Sequence, residues 1–123
     1  MVAHTVQSRK GKGRKLQQLV RDKLLEKHSN SLQQGDIESR GMGQSGTDII
    51  LSPLAQTFIP FDIECKAQEN LSIWKCLNQA ETNTKETRIP LLVFRRARSK
   101  TYCCLEFDKL LELMRWFKWK RKI

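Results

Sequence analysis

No run of apolar residues in this chain approaches the length of a membrane-spanning helix, and its N-terminus lacks the apolar segment of a secretory signal. Both absences argue against a membrane partner or an exported protein, and the expected location is cytoplasmic. Cys65, Cys76, Cys103 and Cys104 form no CxxC pair and no Cys/His spacing suited to zinc. They read as reduced thiols rather than a disulfide framework. His4 and His28 have no partners in sequence, and no internal repeat is visible. Acidic residues are scarce: 13 stand against 23 lysines and arginines in 123 residues, a formal charge of +10. That balance favours a polyanionic partner, nucleic acid ahead of membrane. The length suits one domain with a real core, and not two.

Against this background the run Phe61-Asp62-Ile63-Glu64-Cys65-Lys66 stands out. It reads as a buried strand, and the strand period of two puts Glu64 and Lys66 on the same side. Fifteen residues separate Glu64 from Asp48, which opens a second apolar run, Ile49-Ile50-Leu51. Two strands joined by a turn would bring Asp48 and Glu64 together. The result is two acidic oxygen ligands for a hard divalent cation with a lysine beside them, the minimal equipment for metal-assisted phosphodiester hydrolysis. An ordinary charged surface gives Glu-x-Lys triplets by chance, and with 29% charged residues that alternative has weight. The apolar flanks Ile59, Phe61 and Ile63 speak against it.

The rest of the chain sorts into helices, strands and basic segments. Residues 1–14 form a polar arm carrying Arg9, Lys10, Lys12 and Arg14, with Lys15 at its end; it reads as a phosphate-contacting arm or a solubilising tail. Residues 15–123 make up the single domain. Leu16, Leu19, Val20 and Leu24 give a helical stripe over 15–28, and Ile73, Cys76, Leu77 and Ala80 another over 70–82. On that second helix Lys75 and Gln79 are four apart and can act together. The intervening 29–47 is glycine-rich loop, either a backbone cradle for phosphate or a plain connector. Strands are expected over 48–52, 61–66, 89–96 and, near the sheet edge, 101–107, with 53–60 a turn. Arg95, Arg96, Arg98 and Lys100 cluster at one basic turn, which suits duplex phosphates or is an ordinary charged turn. Asp108 is a candidate N-cap for a last helix. The Trp116–Trp119 segment can stack on bases, lie on a membrane surface or pack on the core. The order helix, strands, helix, strands, helix predicts an α/β or α+β domain, a central mixed sheet flanked by helices.

Gly46-Thr47-Asp48, then Ile63-Glu64-Cys65-Lys66, then Gln79, resemble the motif of the PD-(D/E)xK nuclease superfamily, with Thr47 where proline is common. The likeness is nearest to the small Holliday-junction resolvases of archaeal and phage type. Their Ser/Gly/Arg-rich loop is matched in character by Ser39 to Ser45, with Arg40 at the loop arginine and Ser45 beside the motif. The resemblance spans roughly residues 10–107 and is specific only at the motif positions. It implies a restriction-endonuclease-like core and a Mg²⁺- or Mn²⁺-dependent endodeoxyribonuclease, with no small-molecule cofactor. In that picture Asp48, Glu64 and the Cys65 backbone carbonyl hold the cation. Lys66 orients the attacking water, and Gln79 with Lys75 assists. The helix glutamate of the family falls at Gln18, with Gln17 beside it as part of the match and Asp22 one turn on as a possible substitute; Gln18 is a neutral oxygen, which leaves one metal or two open. The resemblance further implies a homodimer acting on branched DNA in recombination or repair, and a compact basic nuclease of this kind suits phage DNA processing.

Two rivals follow from the same residues. A homing, restriction-like or nicking endonuclease on linear duplex would share the catalytic centre. A DNA-binding module that has lost activity would explain Gln18, but not the intact Asp48, Glu64 and Lys66.

Overall fold

A computed structural model describes residues 6–116 of the chain. In order it contains α1 (Val6–Lys27), β1 (Ile37–Ser39), β2 (Ile49–Leu51), α2 (Pro53–Phe58), β3 (Phe61–Ala67), α3 (Ile73–Asn83), β4 (Ile89–Arg95), β5 (Tyr102–Cys104) and α4 (Phe107–Trp116). The α+β class expected from the element order is the class observed.

Alternation along β3 builds the centre. Ile63 and Cys65 are buried with Leu16 and Val20 of α1, and Phe61 and Ala67 pack on the same cluster, so α1 covers that face. The other face carries Asp62, Glu64 and Lys66 and meets α3, which packs on β3 and β4. β3 and β4 are parallel, with α3 as the crossover between them, and β5 pairs antiparallel to β4 at the sheet edge. β1 and β2 form a separate antiparallel pair, Ile37 opposite Leu51. The single central sheet of the sequence reading is thus a three-stranded mixed sheet with a two-stranded ribbon beside it. The two meet where the Asp48 N–H donates to Ile63 O at 3.0 Å.

Four stretches differ from expectation for physical reasons. The basic residues Arg9 to Lys15, read as the end of an arm, lie in the early turns of α1. Gly11 and Gly13 lower helix propensity there, but no proline interrupts the run. Gly13 also has a use: a Cβ on it would lie 3.2 Å from Met42 Cε, so its bare backbone lets the loop side chain pack closely on the helix. The turn at 53–60 is α2. Ser52 caps it by accepting from the Ala55 N–H at 3.1 Å, and Pro53 takes the first helical position. β1 lies inside the stretch read wholly as loop; three residues are too few for a periodic signal. Asp36 pins its entry, accepting from Ser52 Oγ at 2.8 Å and from the Gln33 N–H at 2.7 Å. At the far end the strand is shorter than 101–107, and α4 starts at Phe107 with Asp108 in its first turn rather than at the cap. Residues 117–123, with Trp119, and the side chain of Trp116 lie outside the described residues.

Candidate active site

The site forms where β2 diverges from β3. Gly46 turns the chain there with φ +106°, a conformation open to glycine, and a Cβ at that position would lie 2.9 Å from the Arg40 guanidinium carbon. Arg40 packs across this turn and donates through Nε to Thr47 O at 2.6 Å, while its own N–H bonds Asp48 O at 2.8 Å. The loop arginine therefore buttresses the segment that delivers Asp48. Asp48 then reaches over the β3 backbone, and its Oδ2 accepts from the Cys65 N–H at 2.7 Å. Its carboxylate is set beside that of Glu64, as the spacing predicts, although α2 rather than a simple turn joins the two strands.

Glu64 is 1% exposed, a carboxyl group almost wholly out of water. Asn83 at the last turn of α3 donates to its Oε1 at 2.9 Å. Burial pushes its pKa up to about 7; the Asn83 bond opposes that shift, and the neighbouring Asp48 carboxyl adds to it by charge and by a shared hydrogen bond, with Lys66 pulling the other way. Two carboxyl groups held side by side, one of them out of water, are a donor pair whose repulsion a divalent cation would relieve. Among the described residues no cluster of three or more His, Cys, Asp or Glu side chains is present, so further ligands would be neutral oxygens or water. Burial, then the Asp48 and Glu64 charges, push the Cys65 thiol far above its ordinary range, which leaves it inert as a nucleophile.

Lys66, half-buried, lines a cleft of about 520 Å³ with Arg9, Lys12, Gly13 and Met42. A second cavity of about 230 Å³ continues it and is bounded by Lys12, Lys15, Arg95, Arg96 and Arg98. The start of α1 and the β4–β5 turn, far apart in sequence, therefore face one basic channel that begins at Lys66. Arg14, Lys10, Ser45, Lys75 and Lys100 are exposed and line neither cavity. All four cysteines are free thiols.

Two site residues were not foreseen. Gln79 and Lys75 are exposed and form no hydrogen bond among the described residues; the α3 amide at the carboxylates is Asn83. The signal was present, since 76, 80 and 83 continue one helical stripe of which Cys76 and Ala80 are buried. On α1 the buried amide is Gln17, at 4% exposure, while Gln18 is half-buried. Gln17 Nε2 donates weakly to Met42 Sδ at 3.8 Å, and its Oε1 is the one buried side-chain oxygen or nitrogen without a hydrogen-bond partner among the described residues. Gly13, one turn earlier on the same face, leaves room for Met42 to pack closely there.

This geometry agrees with the match of the sequence to a family model described as "Phage putative PDDEXK endonuclease", over residues 7–122. The chain belongs to this family. It is thereby a member of the PD-(D/E)xK superfamily, a group of nucleases that hydrolyse phosphodiester bonds, and its α+β core is of the restriction-endonuclease-like kind. No curated protein and no solved structure matches the chain.

Proposed function

We propose that the protein is a divalent-metal-dependent DNA endonuclease that acts on branched DNA, in the manner of a Holliday-junction resolvase. The observation that carries the catalytic part is the Asp48 carboxylate fastened to the Cys65 N–H beside buried Glu64, with Lys66 two residues on. Asp48 and Glu64 would hold Mg²⁺ or Mn²⁺, with the Cys65 carbonyl and an α1 amide as neutral donors. When bound, such a cation polarises the scissile phosphate and acidifies water. Lys66, placed in the cleft, orients the attacking water and stabilises charge gathering on the phosphate oxygens. Asn83 fixes the Glu64 carboxylate in position. Of the two α1 amides, Gln17 fits better than Gln18, because its carbonyl oxygen is desolvated and lacks a donor. Gln79 with Lys75 would meet the flanking phosphate only on DNA binding.

The basic channel supports DNA as the polyanion: Arg9, Lys12, Lys15, Arg95, Arg96 and Arg98 bring six cations to two adjoining cavities. Paired cuts across a junction require two sites, and α4 exposes Phe107, Leu110, Leu111 and Met114 as an apolar surface for a homodimer. Cleavage of a synthetic four-way junction against linear duplex of the same sequence, in Mg²⁺ and in EDTA and alongside Lys66→Ala, tests the proposal. Metal-dependent paired nicks confined to the junction are expected. Equal cutting of both substrates would replace the resolvase with a sequence-directed or general nuclease. Tight binding without cleavage in any metal would leave a DNA-binding module.

A further inference from the structure

The strand register lays a row of side chains across the sheet beside the proposed catalytic lysine. Lys66 is opposite Phe94 on β4, and Phe94 is opposite Tyr102 on β5, so all three point to the α3 face. With about 4.8 Å between strands, Tyr102 stands roughly 10 Å from Lys66 across the row. The two rings are 6.3 Å apart at their centroids, tilted by 32°, and Tyr102 is 55% exposed although it sits next to a buried core. Leu71 and Ile73, at the entry to α3, close the opposite wall of a cavity of about 300 Å³, and Arg95 and Arg96 form its rim. Most of its exposed surface is apolar; Gln68, Glu69 and Ser99 complete the lining, and Glu69 is held by the Ala97 N–H, which donates to it at 3.0 Å. The same two arginines bound the basic channel, so the aromatic cavity opens directly off the path proposed for the DNA backbone.

An exposed aromatic face beside two guanidinium groups, one step from a phosphate channel, matches an unstacked nucleobase. The π-face takes the base, and the arginines take the phosphates on either side of it. The volume is ample for a single base. The geometry points to a pocket, walled by Phe94 and Tyr102, that receives one unpaired base of the DNA close to the scissile phosphate. This rests on the nuclease reading and deepens it: the preference for branched DNA would come from the unpaired base offered at a branch point, at a site distinct from the metal ligands. A fully paired duplex would have to unstack a base to use the same pocket.

The test uses the full chain with DNA in EDTA, comparing a fully paired duplex with the same duplex carrying one unpaired 2-aminopurine at a fork. Tyr102→Ala is expected to weaken binding of the forked DNA on the order of tenfold more than binding of the duplex. Tyr102→Phe should restore the wild-type ratio, since stacking does not need the hydroxyl. The 2-aminopurine fluorescence, quenched by stacking in the wild-type complex, should rise in Tyr102→Ala. Thermal melting of each variant separates a folding defect from a binding one, and Phe94→Leu provides a second variant with the core volume largely kept. Equal losses on the two DNAs, with no fluorescence change, would overturn the pocket while leaving the nuclease standing. A change in oligomeric state by sedimentation would also overturn it, making this face a contact between copies. If the wild-type protein neither binds nor cuts any DNA, the nuclease reading itself fails and the pocket with it.

Discussion

Asp62 and Glu64 lie two residues apart on one strand, face the same side and are both withdrawn from water, yet the protein treats them in opposite ways. Asp62 meets the Arg88 guanidinium at 2.6 Å and accepts the Lys85 N–H at 3.1 Å. Arg88 in turn donates to Ile59 O and Phe61 O, at 2.6 and 2.8 Å, so every group in the cluster has a counterpart. Glu64 has a neutral amide and a second carboxyl group. At the first position a buried charge is fully matched and its role ends with the fold. At the second no described residue supplies such a counter-ion at hydrogen-bond distance, and the match is left to a proton or, in the proposed function, to a bound cation. A buried carboxylate by itself does not mark a site; the identity of what faces it does.

The largest effect that should divide the two positions is on cleavage. Lys66→Ala or Asp48→Asn should reduce DNA cleavage by about 10²–10³-fold or more, with DNA binding retained in a gel-shift assay. Asparagine at 48 keeps an oxygen for the Cys65 N–H, so melting should stay close to wild type. If cleavage and folding fall together, the site is structural after all. Arg88→Ala should do the reverse. It strands the Asp62 carboxylate and two carbonyls, and should cost on the order of 3 kcal/mol of stability, read from urea unfolding. Molecules that remain folded should still cut. Asp62→Asn combined with Arg88→Met should recover part of the loss, because the isolated charge is gone.

Glu64→Gln sharpens the contrast through pH. The folded protein holds a proton on Glu64 up to about pH 7, whereas the unfolded chain releases it near the ordinary value of 4.5. The native state therefore binds more protons between those limits, and this contribution to stability is complete below 4.5, declines as pH rises and is lost above about 7. In EDTA, wild-type melting should fall by several degrees relative to Glu64→Gln over that window, since the amide never ionises. Added Mn²⁺ should favour the ionised form, so that wild type, and not Glu64→Gln, gains stability from metal, and gains more at pH 8 than at pH 6. Parallel melting curves for the two proteins would show that Glu64 is not the titrating group.

Much of the fold was legible because it follows from short-range rules. The period of two in 61–66 gave β3 and placed Glu64 and Lys66 together, and the apolar run at 89–94 gave β4. The stripes on α1 and α3 located the helices. What escaped depends on contacts between segments distant in sequence. Buried Gln17 meets Met42, 25 residues away, beside the bare backbone of Gly13. The Asp62–Arg88 pair joins residues 26 apart and has no local pattern. The convergence of Arg9, Lys12 and Lys15 with the Arg95–Arg98 turn on one channel is likewise tertiary. α2, by contrast, was readable: Ser52-Pro53 is a helix-start pair, outweighed in the sequence by Pro60 at the other end.

The smallest effect concerns which α3 amide serves the carboxylates, where motif spacing and geometry part. Spacing selects Gln79, and the hydrogen bond to Glu64 belongs to Asn83, one turn further on the buried side of the helix. Losing that bond leaves the Glu64 oxygen without a donor, and because the bond favours the ionised form, Asn83→Ala should raise the Glu64 pKa further. Cleavage at pH 7 should then fall by about fivefold and recover partly at pH 8.5, where the carboxylate is ionised regardless, since a buried hydrogen bond is worth about 1 kcal/mol. Gln79→Ala should change the same pH–rate profile by less than about twofold at either pH, as expected for an exposed side chain with no hydrogen-bond partner among the described residues. A pH-independent loss in Gln79→Ala larger than that of Asn83→Ala would mean that DNA binding draws Gln79 to the reacting phosphate. The motif assignment would then hold in the complex, and the role of Asn83 would be confined to the free enzyme.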